Sequence, residues 1–161
     1  MTAIRLEING ATVADDVAPR TSLADYLREA RNLTGTHLGC EHGVCGACTI
    51  LIDGEPVRSC LTLAAACDSR KVQTIEGFVG DPAMAALRDA FHRRHALQCG
   101  FCTPAMLITA WDLIRRGKAV SETEIRRGLA GNICRCTGYT NIVAAIAEAA
   151  MLAAKGVPDA E

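Results

Sequence analysis

Nine cysteines occur in this 161-residue chain, and eight of them fall into two sets whose spacing suits metal binding. Cys40, Cys45 and Cys48 form the pattern C-x4-C-x2-C, and Cys60 follows with eleven residues between. This is the plant-type 2Fe–2S spacing, in which the fourth ligand lies further along the chain. The loop carries Gly43, Gly46 and Ala47. Small residues let a backbone wrap closely and turn its N–H groups toward the negative charge of thiolates and bridging sulfides. A four-cysteine zinc site also uses C-x2-C pairs and stays open as the alternative. Cys40-x-His42 is similar to the start of a Rieske site, but Leu61-Thr62-Leu63 follows Cys60, so the second Cys-x2-His pair is missing. His42 therefore reads as a solvated loop residue.

The second set is Cys99-x2-Cys102 with Cys134-x-Cys136. Cys99 and Cys102 precede Pro104 at a helix start, where the positive end of the helix dipole favours thiolates. In an extended loop the sulfurs of Cys134 and Cys136 can face one point. Spacing alone leaves iron–sulfur and zinc both open for this set. Cys67 lies in an apolar run and reads as a small buried hydrophobe.

Two kinds of scaffold must position these sets. The first half alternates with period two. Ile4, Leu6 and Ile8 form a strand, Asn9-Gly10 signals a tight hairpin turn, and residues 11–17 return. Ser22 is placed to cap a helix over residues 23–30. Strands are expected at 49–53 and 56–60 around Asp53-Gly54, with a last one at 71–75. After a linker at 77–82 the period becomes helical. Met84, Leu87 and Phe91 mark one helix. Thr103 is expected to cap a second, with Leu107, Ala110, Trp111 and Ile114 inward. Ser121 and Glu124 form a capping box before a third, with Ile125 and Leu129 inward. A fourth is expected over 141–154. Each cysteine pair of the second set then lies in a loop between two helices, so one metal centre would tie two helical hairpins together. The chain reads as α+β, with domains at 1–77 and 82–156 and a loose tail at 157–161. Domains of about 80 residues are marginal on packing alone and commonly carry a metal or disulfide staple.

Lysine and arginine total 17 against 18 aspartates and glutamates. This balance gives no field to attract nucleic acid. No apolar stretch is long enough to span a bilayer. With no leader pattern at Met1, the chain is expected to be cytoplasmic, where thiols stay reduced and clustered cysteines point to metal chemistry.

Three long motifs in order carry a family likeness: Gly39-Cys-Glu-His-Gly-Val-Cys-Gly-Ala-Cys-Thr49, Gln98-Cys-Gly-Phe-Cys-Thr-Pro104, and Gly131-Asn-Ile-Cys-Arg-Cys-Thr-Gly-Tyr139. The chain resembles, over nearly its whole length, the small subunit of the molybdenum hydroxylases, the xanthine oxidase family. The resemblance implies a β-grasp ferredoxin-like 2Fe–2S domain with its cluster on Cys40, Cys45, Cys48 and Cys60. It implies a four-helix domain behind it, with a second 2Fe–2S cluster on Cys99, Cys102, Cys134 and Cys136. Gln98 and Cys136 match positions that contact the pterin in that family. The molybdopterin cofactor and FAD would sit on partner chains, a molybdenum-binding large subunit and an FAD-binding medium subunit, assembled as a doubled heterotrimer. The implied role is to relay single electrons from molybdenum through both clusters to FAD. The motifs look more like those of bacterial N-heterocycle or purine dehydrogenases than of carbon monoxide dehydrogenase. A free-standing 2Fe–2S carrier and a zinc-stapled interaction module are the rival functions.

Overall fold

A computed structural model describes residues 1–118 and 121–154. The chain divides into two compact units, Met1–Val79 and Gly80–Glu161. The tail expected at 157–161 lies outside the described residues, as do positions 155 and 156 of the second expected domain.

The first unit is a five-stranded mixed sheet with a helix packed on it. β1 (Thr2–Ile8) and β2 (Ala11–Val17) pair antiparallel, and Asn9 and Gly10 take φ of 51° and 83° at the turn. Positive φ at both central residues is what a tight right-twisting hairpin demands. β3 (Thr49–Ile52) and β4 (Glu55–Arg58) form the second hairpin, with Asp53 and Gly54 at 50° and 81°. β5 (Lys71–Gln73) lies between the hairpins, parallel to β1 and antiparallel to β3, giving the order β2-β1-β5-β3-β4. Alternate residues Ile4, Leu6 and Ile8 join Ile50, Ile52 and Val72 in one core, and Cys67 is buried in it as expected.

The helix expected over residues 23–30 is two elements. α1 (Leu23–Asp25) is capped by the Ser22 hydroxyl, which accepts from the amide of Asp25 at 3.0 Å. It widens into a π-helical turn, Tyr26–Ala30, closed by Arg31 N–H on the Tyr26 carbonyl at 3.2 Å. Tertiary bonds account for the widening. The Tyr26 hydroxyl donates to Asp15 on β2, and the Arg28 guanidinium holds the carbonyls of Thr34 and Thr36 at 2.9 Å each. Both pull the turn off its α path. The same bonds tie the start of the cysteine loop to the sheet.

Gly77 closes this unit against Asn9. A Cβ there would stand 2.8 Å from Asn9 Cγ. Asn9 is pinned, accepting from Thr74 N–H at 2.9 Å and donating to the Thr74 hydroxyl at 3.0 Å. Gly77→Ala is therefore expected to destabilise the protein by about 1–3 kcal/mol, read as a lower denaturant midpoint with unchanged slope.

Among its described residues the second unit holds α2 (Pro82–Arg93), α3 (Thr103–Arg115), α4 (Glu122–Gly128) and α5 (Thr140–Ala154). Met84, Leu87 and Phe91 of α2 are buried, as are Ile125 and Leu129. α2 packs on α5 and α3, and α4 on α5. Glu148 of α5 receives Arg93 and Arg94 at 2.8 and 2.5 Å and clips the end of α2 to it; the two guanidiniums hold its carboxyl below the usual range. Ser121 caps α4 by accepting from Glu124 N–H at 3.2 Å, and Glu124 answers on the Ser121 hydroxyl at 2.6 Å. Two expectations fail. Thr103 is the first residue of α3 and Cys102 is its cap position. Trp111 is half-buried and not core. Its indole N–H needs a partner and finds Asp81, the α2 cap, at 3.3 Å, and Arg115 covers its ring at 5.3 Å. Among the described residues, no helix is long and apolar enough to cross a membrane.

Candidate metal centres

The structure brings each expected set of four cysteines together, and within each set the sulfurs gather in pairs. In the first unit, the loop after the π-helical turn carries Cys40, Cys45 and Cys48. Glu41, Gly43 and Gly46 take φ of 57°, 82° and 74°, left-handed positions that curl the chain around the sulfurs. Cys45 N–H reaches Cys40 Sγ at 3.4 Å, and His42 and Val44 N–H groups also point at it. These bonds lower the Cys40 thiol to about 6. Cys60 lies in a 3-10 turn, Ser59–Leu61, directly after β4. Ser59 is fully buried and donates twice to the Cys48 carbonyl, from N–H at 3.3 Å and from the hydroxyl at 2.7 Å. The thiols of Cys48 and Cys60 bond each other, and burial pushes Cys60 up to about 11. The pairs are thus Cys40 with Cys45, and Cys48 with Cys60. His42 is exposed, as a loop residue should be.

In the second unit, Cys99 and Cys136 are exposed and their sulfurs lie 3.5 Å apart. Cys102 and Cys134 bond each other deeper in the unit. Cys134 and Cys136 each bond a partner from the other loop, Cys102 and Cys99. At the start of α3 the Phe101 N–H lowers the Cys99 thiol, whereas burial pushes Cys102 up to about 12. Burial also opposes the Cys134 thiolate, but the bonds from Thr137, Cys136 N–H and Cys102 together outweigh it, so Cys134 is the lowered member of its pair. Gln98 is exposed beside Cys99, between the exposed hydrophobes Leu97 and Phe101.

Three residues around Cys134 were not singled out from the sequence. Tyr139, at φ 70°, accepts Cys134 N–H on its hydroxyl at 2.9 Å and donates to the Asn132 carbonyl at 3.4 Å. Asn132 is buried and receives Thr109 of α3 at 3.2 Å. Thr137 meets Cys134 Sγ with its hydroxyl at 3.2 Å and its N–H at 3.4 Å. In the sequence they stand only as members of the motif from Gly131 to Tyr139, with no role of their own.

Among the described residues, no three His, Cys, Asp or Glu side chains gather tightly enough for a single ion. Paired thiols lined by peptide N–H groups suit a two-iron cluster, in which each iron takes two thiolates and the sulfurs want donors. The donor set fits that group.

Residues 6–85 match the 2Fe-2S iron-sulfur cluster binding domain, and residues 74–147 match the [2Fe-2S] binding domain. The chain is 51% identical over 146 residues to the caffeine dehydrogenase subunit gamma of Pseudomonas sp. (strain CBB1), covering 89% of this chain and 87% of that one. It is also 51% identical to the nicotine 6-hydroxylase small subunit of Paenarthrobacter nicotinovorans, covering 91% and 88%. The chain belongs to the small iron–sulfur subunits of the xanthine oxidase family. Its fold superposes on quinoline 2-oxidoreductase from Pseudomonas putida 86 with a TM-score of 0.89 and 50% identity, covering 96% of this chain and 97% of that one. As a member of this family, it is an electron-transfer subunit of a multi-subunit oxidoreductase and carries two 2Fe–2S-binding domains.

Proposed function

We propose that Cys40, Cys45, Cys48 and Cys60 ligate one 2Fe–2S cluster, and Cys99, Cys102, Cys134 and Cys136 the other, in a chain that relays electrons between a molybdenum-binding large subunit and an FAD-binding medium subunit. The observation that carries this reading is the pairing of the eight sulfurs, two by two, in each unit. When bound, the clusters supply one-electron redox chemistry, which divides a two-electron substrate oxidation at molybdenum into single transfers toward FAD. The chain's own residues hold the thiolates, present N–H donors to them and exclude water from the Cys48 and Cys134 sides.

The ferredoxin-type domain is taken as residues 1–77, a β-grasp fold, and the helical domain as 82–156, a complete four-helix domain. Gln98 and Cys136 are assigned to the pterin of the large subunit. Their exposure, with exposed Leu97, Phe101 and Ile133 nearby in sequence, supports a surface that a partner covers. The substrate class is aromatic N-heterocycles or purines, supported by relatives that act on caffeine and nicotine. The location is cytoplasmic, where thiols stay reduced and clustered cysteines serve metal chemistry. The complex is a doubled heterotrimer of the three subunits.

The test is to purify the native complex anaerobically and measure iron, acid-labile sulfide and EPR spectra after dithionite reduction. About four irons per copy of this chain, with two distinct S = 1/2 signals, are expected from two 2Fe–2S centres. Zinc in their place would leave a stapled interaction module. A chain that purifies alone with its iron would be a free-standing carrier.

A further inference from the structure

Resting on the assignment of Cys134 as a cluster ligand, we infer that Thr137 is a positioning residue whose hydroxyl donates a hydrogen bond to the Cys134 thiolate and so raises the reduction potential of the cluster in the helical unit.

The direction of that hydrogen bond follows from its neighbours. Thr137 Oγ1 lies 3.2 Å from Tyr139 N–H and 3.2 Å from Cys134 Sγ. A peptide N–H can only donate, so Oγ1 accepts from Tyr139 and its own proton is free to turn elsewhere. A ligating thiolate carries no proton and can only accept. The hydroxyl proton therefore points at Cys134 Sγ, beside the Thr137 N–H that reaches the same sulfur at 3.4 Å.

The rest of the loop fixes this arrangement. Gly138 takes left-handed backbone at φ 66°, and Tyr139 N–H turns back onto Thr137 at 3.2 Å. The Tyr139 hydroxyl then spans Cys134 N–H and the Asn132 carbonyl, and Asn132 is anchored to Thr109 of α3. Thr137 thus donates from a frame tied to a helix, not from a loose loop.

The consequence is electrostatic. Reduction adds one negative charge to the cluster, and a donor on a ligand sulfur stabilises the reduced state more than the oxidised one. Removing it makes the centre harder to reduce. The hydroxyl bonds a sulfur of the helical unit's own set, so the effect is assigned to that centre.

The experiment uses the native complex, with Thr137→Val and Thr137→Ser variants and potentiometric titration of both EPR signals. Two signals and full iron in the wild-type complex test the cluster assignment itself, before any variant is compared. Thr137→Val keeps the shape and the Thr137 N–H but loses the hydroxyl. One signal is expected to shift to lower potential, on the order of tenfold in its reduction equilibrium, which is about 59 mV for one electron. The other signal stays in place, and Thr137→Ser restores the wild-type value. Both signals moving together, or neither moving in a fully loaded Thr137→Val complex, would overturn the inference. Should Thr137→Val lose iron, Thr137→Ser decides. Full iron at the wild-type potential with serine supports the hydroxyl, whereas equal iron loss with serine assigns the effect to the methyl group and refutes it.

Discussion

Cys134→Ala is expected to lower the iron content from about four to about two per copy of this chain and to remove one of two EPR signals. Cys134 is nearly buried, pairs with Cys102, and is served by Thr137 and Tyr139. Alanine offers no sulfur at that point and leaves Cys102, a half-buried thiol, without the neighbour it bonds. One iron would then lack one of its two thiolates. Turnover with the complex's own acceptor should fall by more than ~100-fold, since losing even an outer-shell partner costs 10–100-fold at such centres. Cys67→Ala is the matched control. Its sulfur lies 3.6 Å from the Leu63 carbonyl inside the sheet core. That change should cost about 1 kcal/mol of stability and leave iron and both signals intact. Four irons retained in Cys134→Ala would sink the ligand assignment for the helical unit.

The contrast between Cys134 and Cys67 was legible in the sequence because spacing is a local property. C-x4-C-x2-C and the two later pairs can be read without knowing the fold, as can Asn9-Gly10 and Asp53-Gly54, whose backbone angles match their turn chemistry. Features set by tertiary bonds were not legible. The widening of α1 at Tyr26–Ala30 depends on Asp15 and on the carbonyls of Thr34 and Thr36, all distant in sequence or defined only by the folded loop. The period of the α3 face suggested Trp111 as core, but period says nothing about the indole N–H, which Asp81 holds at the rim. The division of Cys134 and Cys136 between two partners was invisible for the same reason. It depends on how the loops at Cys99 and Cys134 meet in the folded unit, which spacing does not state. Ser59 was missed because a serine after a strand is unremarkable until its two bonds to the Cys48 carbonyl are seen.

Phe91→Ala is expected to separate the two things that hold the helical unit together, its core and its metal centre. Phe91 is about 1% exposed on the face of α2 that also buries Met84 and Leu87, and α2 packs on both α5 and α3. Truncating a buried phenylalanine costs about 3–5 kcal/mol. A core in a domain this small rarely supplies more than ~3–5 kcal/mol in all. Without its cluster the variant unit should therefore be unfolded near 25 °C. A group that binds only the folded chain adds stability by mass action, about 4 kcal/mol at a thousandfold excess over its dissociation constant. The cluster-loaded variant should consequently stay helical. The measurement is far-UV circular dichroism of wild type and Phe91→Ala, each before and after iron chelation. Helical signal is expected in three of the four samples and lost in the chelated variant. If chelated Phe91→Ala keeps its helices, the core outweighs the staple, and the Cys99–Cys136 centre is held by a domain that folds without it. If chelation unfolds the wild type as well, the loops at Cys99 and Cys134 contribute most of the unit's stability, and the glutamate clip of α2 to α5 is secondary to the metal.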